Sequence, residues 1–155
     1  MTVQAFRIVQ KSLSATAFDG EGARKHGGRW NSRGKPLVYT SGTLALATLE
    51  IFVHLESYEV LNKRYCYIPV DIPKTICKTL DRSLLPAGWD SDPPIFVTRE
   101  LGDRWLAAGD SAVLVVPSAI VPAGVNYLIN PQHPDFSKIV IHPMLDYVFS
   151  SRLLK

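Results

Sequence analysis

Apolar and polar residues alternate from Gln4 to Val9, which predicts a first strand with Arg7 on the face opposite Phe6 and Ile8. The next stretch, about Phe18 to Lys35, is polar, holds five glycines and ends in Gly34-Lys35-Pro36, so it reads as a long exposed loop. Leu37 to Thr40 is a short strand carrying Tyr39. The spacing from Thr43 to about His54 is helical and rich in Leu and Ala, with Thr40 or Ser41 as the capping residue and Glu50 inside. Further strands are predicted at Tyr65–Ile72, where Pro69 suggests an edge or bulge, at Ala112–Val116, at Asn126–Ile129 and at Lys138–His142. A second helix is predicted from Phe96 to Ala108, stopped by Gly109, after a loop from Leu85 to Pro94. Short strands with two substantial helices that do not alternate one for one predict an α+β fold, mostly antiparallel, in a single domain spanning residues 1–155.

Composition narrows the setting. Apolar residues at 46% and charged residues at 20% fit a chain that buries one core, and leave no room for long disorder. A net charge of +3 without a Lys/Arg cluster suits a small anionic ligand or an acidic partner protein, and argues against direct nucleic-acid binding. No signal-like segment or membrane-length apolar run is present, so a cytoplasmic protein is expected, with Cys66 and Cys77 as free thiols. Neither cysteine lies in a motif with ligand spacing, and no metal is expected. The GxGxxG fingerprint and the Walker loop are absent, so a nucleotide would have to be held by side chains.

The candidate chemistry gathers in His26-Gly27-Gly28-Arg29-Trp30-Asn31, Tyr39 and Glu50. Glycines let backbone approach a ligand, and an arginine fork pairs bidentately with phosphate. A phenol and a carboxylate nearby could act on the attached sugar. Of the four positions one turn from Glu50, namely Leu46, Ala47, Val53 and His54, three are apolar or small, an unusual setting for a surface acid. Each residue also has an ordinary reading: Glu50 as a helix acid tied to an arginine, Tyr39 as a strand tyrosine, Trp30 as core.

Six ordered blocks go further. Gly27-Gly28-Arg29-Trp30-Asn31, Leu37-Val38-Tyr39-Thr40-Ser41, Leu44 to Glu50, Gly102-Asp103-Arg104-Trp105-Leu106, Val116 to Pro122 and Asn130 to Phe136 resemble the blocks of the RES domain over nearly the whole chain. The resemblance implies a fold similar to ADP-ribosyltransferases and the toxin of a bacterial type II toxin-antitoxin pair that depletes NAD as a glycohydrolase or phosphorylase. It implies an Xre-like helix-turn-helix antitoxin as partner, and NAD as substrate with no cofactor. Arg29, Tyr39 and Glu50 match its catalytic set. Arg7, Arg29, Trp30, Tyr39 and Ser118 are the candidate substrate-binding residues. Two alternatives stay open, an ADP-ribosyltransferase acting on a protein target and a non-catalytic nucleotide- or protein-binding module. A homo-oligomer also stays open.

Overall fold

A computed structural model describes residues 1–154. The strands are β1 (Thr2–Gln10), β2 (Val38–Ser41), β3 (Tyr65–Pro73), β4 (Cys77–Thr79), β5 (Val113–Pro117), β6 (Val125–Ile129), β7 (Val140–Ile141) and β8 (Leu145–Tyr147). The helices are α1 (Glu21–His26), α2 (Leu44–Phe52), α3 (Ser57–Asn62) and α4 (Phe96–Ala108). One sheet runs in the order β4-β5-β6-β2-β1-β3-β7, with β8 also on β3. Among the described residues only the β4–β5 pairing is parallel, so the α+β, mostly antiparallel expectation holds.

The backbone of the sheet is the full-length antiparallel pairing of β1 with β3, from Thr2 opposite Pro73 to Gln10 opposite Tyr65. Its alternation sorts side chains onto two faces. On one face Ala5, Val38, Val70, Ile72, Val113 and Ile129 pack under Phe18, Phe136 and Ile139 from the connections. The other face carries both long helices. Ile8 and Tyr65 meet Ala47, Ile51 and Phe52 of α2, and Leu114, Val116 and Leu128 meet Trp30, Leu37 and Trp105.

Pro69 lies where the outer neighbour of β3 changes, since β8 pairs Tyr65 to Tyr67 and β7 pairs Val70 and Asp71. Its carbonyl accepts from the His142 N–H at 3.0 Å, so the side of Pro69 that lacks an N–H faces that break in the ladder.

Several local expectations change. The glycine-rich loop contains α1, whose charged residues give no apolar period to read. Gly27, with φ 70°, ends that helix in a conformation that favours glycine. The cap of α2 is Thr43, which accepts from the Leu46 N–H at 3.0 Å, because Thr40 and Ser41 belong to β2. Glu50 therefore sits in the last turn of α2, and Val53 and His54 beyond it are exposed. Among the described residues no helix is long and apolar enough to cross a membrane.

Candidate active site

The glycine-rich segment is a tight turn. The Gly28 N–H donates to the Asn31 carbonyl at 2.9 Å, which leaves Arg29 and Trp30 at the tip. Trp30 turns inward and is 2% exposed, tilted against Trp89 at 6.3 Å between ring centres. An indole so enclosed offers no face to a base, and the expectation that Trp30 binds substrate is corrected to a core role. Arg29 turns the other way. Its Nη1 donates to the carbonyls of Trp89 at 3.0 Å and Ser91 at 2.9 Å, so it ties down the loop that leads to α4.

Tyr39 meets this turn from β2. Its hydroxyl donates to Asn31 Oδ1 at 2.6 Å and accepts from the Trp30 N–H at 3.2 Å. The absence of a side chain at Gly28 makes room for it, since a Cβ there would lie 2.5 Å from the Tyr39 hydroxyl. Burial pushes the phenol well above the usual tyrosine range, eased by the Trp30 N–H, added to by the charge of Asp103 and eased again by Arg29 and Arg99. Tyr39 is therefore neutral at physiological pH. Fully buried Asn31 holds the arrangement by donating to the Ala23 carbonyl at 2.8 Å and the Lys35 carbonyl at 3.1 Å.

Glu50 is reached from the same face of the sheet. Tyr39 and Ser41 alternate onto it from β2, opposite Leu128 and Asn126 of β6. Ser118 Oγ donates to Glu50 Oε1 at 2.6 Å, and Asn126 Nδ2 donates to the same oxygen at 2.8 Å. Ser118 is fully buried and accepts from the N–H groups of Ile120 and Val121, both at 3.1 Å. With both lone pairs occupied, its single proton is aimed at the carboxylate. Ser41 Oγ donates to Asn126 Oδ1 at 2.8 Å, which fixes the amide so that its NH₂ faces Glu50. Both donors fall on Oε1, and Oε2 receives no bond among the described residues. The site thus presents one oriented carboxylate with a free oxygen.

Of the residues singled out from sequence, Arg29 and Tyr39 meet at the turn, and Glu50 and Ser118 meet beside it on the same face. Arg7 does not join them. It projects from the opposite face, and its guanidinium donates to the Ala17 carbonyl at 2.7 Å and the Tyr39 carbonyl at 3.0 Å. Burial pulls it down to about 10, partly offset by Asp19, so it remains charged at neutral pH. The substrate-binding expectation for Arg7 is corrected to a structural one, because strand alternation commits its side chain to the face away from Glu50. Sequence reasoning missed Asn126 and the role of Ser41. The signal for Asn126 was a polar residue at an inward position of the otherwise apolar β6, and Ser41, next to Thr40 in β2, had none.

Fold and site together define an α+β domain that fixes one glutamate over a sheet, beside an arginine-bearing turn. The RES domain model matches residues 4–150, and the chain belongs to the RES domain family. It is 37% identical over 151 residues to a Toxin Res of Photorhabdus laumondii subsp. laumondii, covering 97% of this chain and 96% of that protein. It is 35% identical over 160 residues to a Prs ADP-ribosylating toxin of Sphingobium sp., covering 100% of this chain and 99% of that one. The crystal structure of the M. tuberculosis MbcT-MbcA toxin-antitoxin complex contains the same fold, with a TM-score of 0.76 at 17% identity over 96% of this chain and 85% of that chain.

Proposed function

We propose that this chain is the toxin of a bacterial toxin-antitoxin pair and that it cleaves the bond between nicotinamide and ribose in NAD. The observation that carries the reading is Glu50, held at Oε1 by Ser118 and Asn126 with Oε2 left for a ligand. When the C1′–N bond breaks, nicotinamide departs with the bonding electron pair and the sugar becomes an oxocarbenium ion, which a nearby carboxylate stabilises. Glu50 Oε2 takes a hydrogen bond from a ribose hydroxyl, orients the ring and faces the developing charge. Arg29 holds the diphosphate, and the neutral Tyr39 hydroxyl and ring keep the nicotinamide end in place. Water or phosphate then takes the ADP-ribose.

A second reading is transfer to a protein side chain, favoured by the name of the Sphingobium relative as an ADP-ribosylating toxin. The antitoxin is expected to be an Xre-like helix-turn-helix protein. The MbcT-MbcA complex supports an antitoxin partner, and its Xre-like type rests on the RES resemblance alone.

The test is to mix the purified chain with NAD and follow free nicotinamide, with and without phosphate and cell lysate. The wild-type chain releases it. Glu50→Gln binds NAD and loses on the order of a hundredfold or more in turnover, the scale of removing an aimed electrostatic group. No release by wild type under any of these conditions overturns the catalytic reading. Mass spectrometry of the ADP-ribosyl product separates hydrolysis, phosphorolysis and protein modification.

A further inference from the structure

Arg99 is the one arginine among the described residues that is not exposed and whose side chain makes neither a hydrogen bond nor an ion pair. Its Nε is buried without a partner. A buried guanidinium nitrogen normally has one, since leaving a charged donor unmet is costly.

Its position is informative. Arg99, Gly102 and Asp103 share one face of α4 by helical spacing. Gly102 packs against the Trp30 carbonyl, and Asp103 accepts from the Ser32 N–H at 2.9 Å and the Ser32 hydroxyl at 2.5 Å. That face therefore lies on the Trp30–Ser32 side of the turn that bears Arg29, with Arg99 one helical turn before Gly102. The Tyr39 phenol feels the charges of Arg29, Arg99 and Asp103, so all three lie in its neighbourhood.

Among the described residues no carboxylate forms an ion pair with Arg29 or Arg99. Asp103 is bonded to Ser32 and paired with Lys35 at 3.7 Å, and Glu100 is paired with Arg104 at 2.6 Å on the exposed side of the helix. Arg99 also lies at the positive end of α4, where a cation is disfavoured. Two like charges and a helix terminus lie near one phenol against a single carboxylate that is already engaged by Ser32 and Lys35, an excess that a further anion would relieve.

We propose that Arg99 is a second anion anchor, which with Arg29 grips the diphosphate linkage of the dinucleotide. The identity of the dinucleotide rests on the NAD reading. The preference for a diphosphate rests on the two arginines alone. Arg99 takes the place that the first-strand arginine Arg7 held in the sequence reading, whose guanidinium is spent on two carbonyls.

The experiment is calorimetric titration of the purified chain with inorganic pyrophosphate, ADP-ribose and nicotinamide riboside, which has no diphosphate. Arg99→Gln is expected to weaken pyrophosphate and ADP-ribose by about tenfold or more, as for a lost charge-assisted contact, and to leave nicotinamide riboside unchanged. Arg104→Gln, which removes a charge from the exposed side of α4, leaves all three unchanged. Arg99→Gln should melt no lower than wild type, because the guanidinium has no protein partner to lose. If it fails to fold, Arg99→Lys carries the test, keeping charge without the fork and binding pyrophosphate several-fold more weakly. Equal pyrophosphate affinity in wild type and Arg99 variants, an equal loss in Arg104→Gln, or no binding by wild type overturns the proposal. A wild type that releases no nicotinamide while Arg99→Gln loses pyrophosphate sinks the NAD reading and leaves the anchor standing.

Discussion

Ser118 and Glu50, 68 residues apart in sequence, are joined by a 2.6 Å hydrogen bond in which the serine gives its only proton to the carboxylate. The same hydroxyl caps the N–H groups of Ile120 and Val121, so the turn that positions the serine also dictates where its proton points. Ser118→Ala leaves those two N–H groups unmet and removes one of two donors from Oε1. Thermal melting should report a loss on the order of 1–3 kcal/mol, the cost of unmet buried groups. Nicotinamide release should show kcat falling more than KM rises, because the carboxylate is still present but held by Asn126 alone. A variant with wild-type kcat would remove Ser118 from the orientation of Glu50.

Arg29→Lys keeps a positive charge and loses the planar fork. One ammonium has to serve the Trp89 and Ser91 carbonyls and the ligand together. NAD affinity should drop several-fold for want of bidentate geometry, and limited proteolysis should cut the loop around Trp89 faster. Unchanged affinity would make Arg29 a tether only.

Gly28 and Gly102 are expected to tolerate a methyl group differently. At Gly28 the new Cβ meets the end of a side chain, 2.5 Å from the Tyr39 hydroxyl, and the ring can be displaced. At Gly102 it meets the Trp30 carbonyl, which is backbone. Gly28→Ala should therefore fold, lose about 1–3 kcal/mol as a typical overpacked site and shed activity as Tyr39 moves. Gly102→Ala should be the more destabilising in a denaturant titration, and the reverse order would contradict the packing described here.

Arg7→Met tests the role assigned to the first-strand arginine. It keeps the stem and leaves the Ala17 and Tyr39 carbonyls without their donor. Stability should fall by about 1–3 kcal/mol while the KM for NAD stays near wild type. A large rise in KM without a change in melting would return Arg7 to the substrate.

The sheet was legible because β1, β3, β5 and β6 carry patterns set by burial on one or both faces. The six-residue helices α1 and α3 were not, because a helix that buries none of its residues has no apolar stripe to announce it. At the site, Arg29, Tyr39, Glu50 and Ser118 could be named from ordered blocks. Asn126 could not, since its meaning depends on lying opposite Ser41, a register that joins strands 85 residues apart. Arg7 shows the complementary limit. Alternation separates it from Phe6 and Ile8 and says nothing about which side of the sheet houses the carboxylate. Arg99 was invisible for a further reason, as what marks it is a missing partner.

The strand order has a consequence for how the site comes into being. Arg29, Tyr39 and Glu50 all leave the ribosome within the first third of the chain, yet β2 lies between β1 and β6, and both groups that grip Glu50 follow β4. A nascent chain stopped before Ser118 carries Glu50 without the two side chains that aim it. The carboxylate is set only when β5, the turn after it and β6 have docked, so a residue made early is aimed only by residues made late.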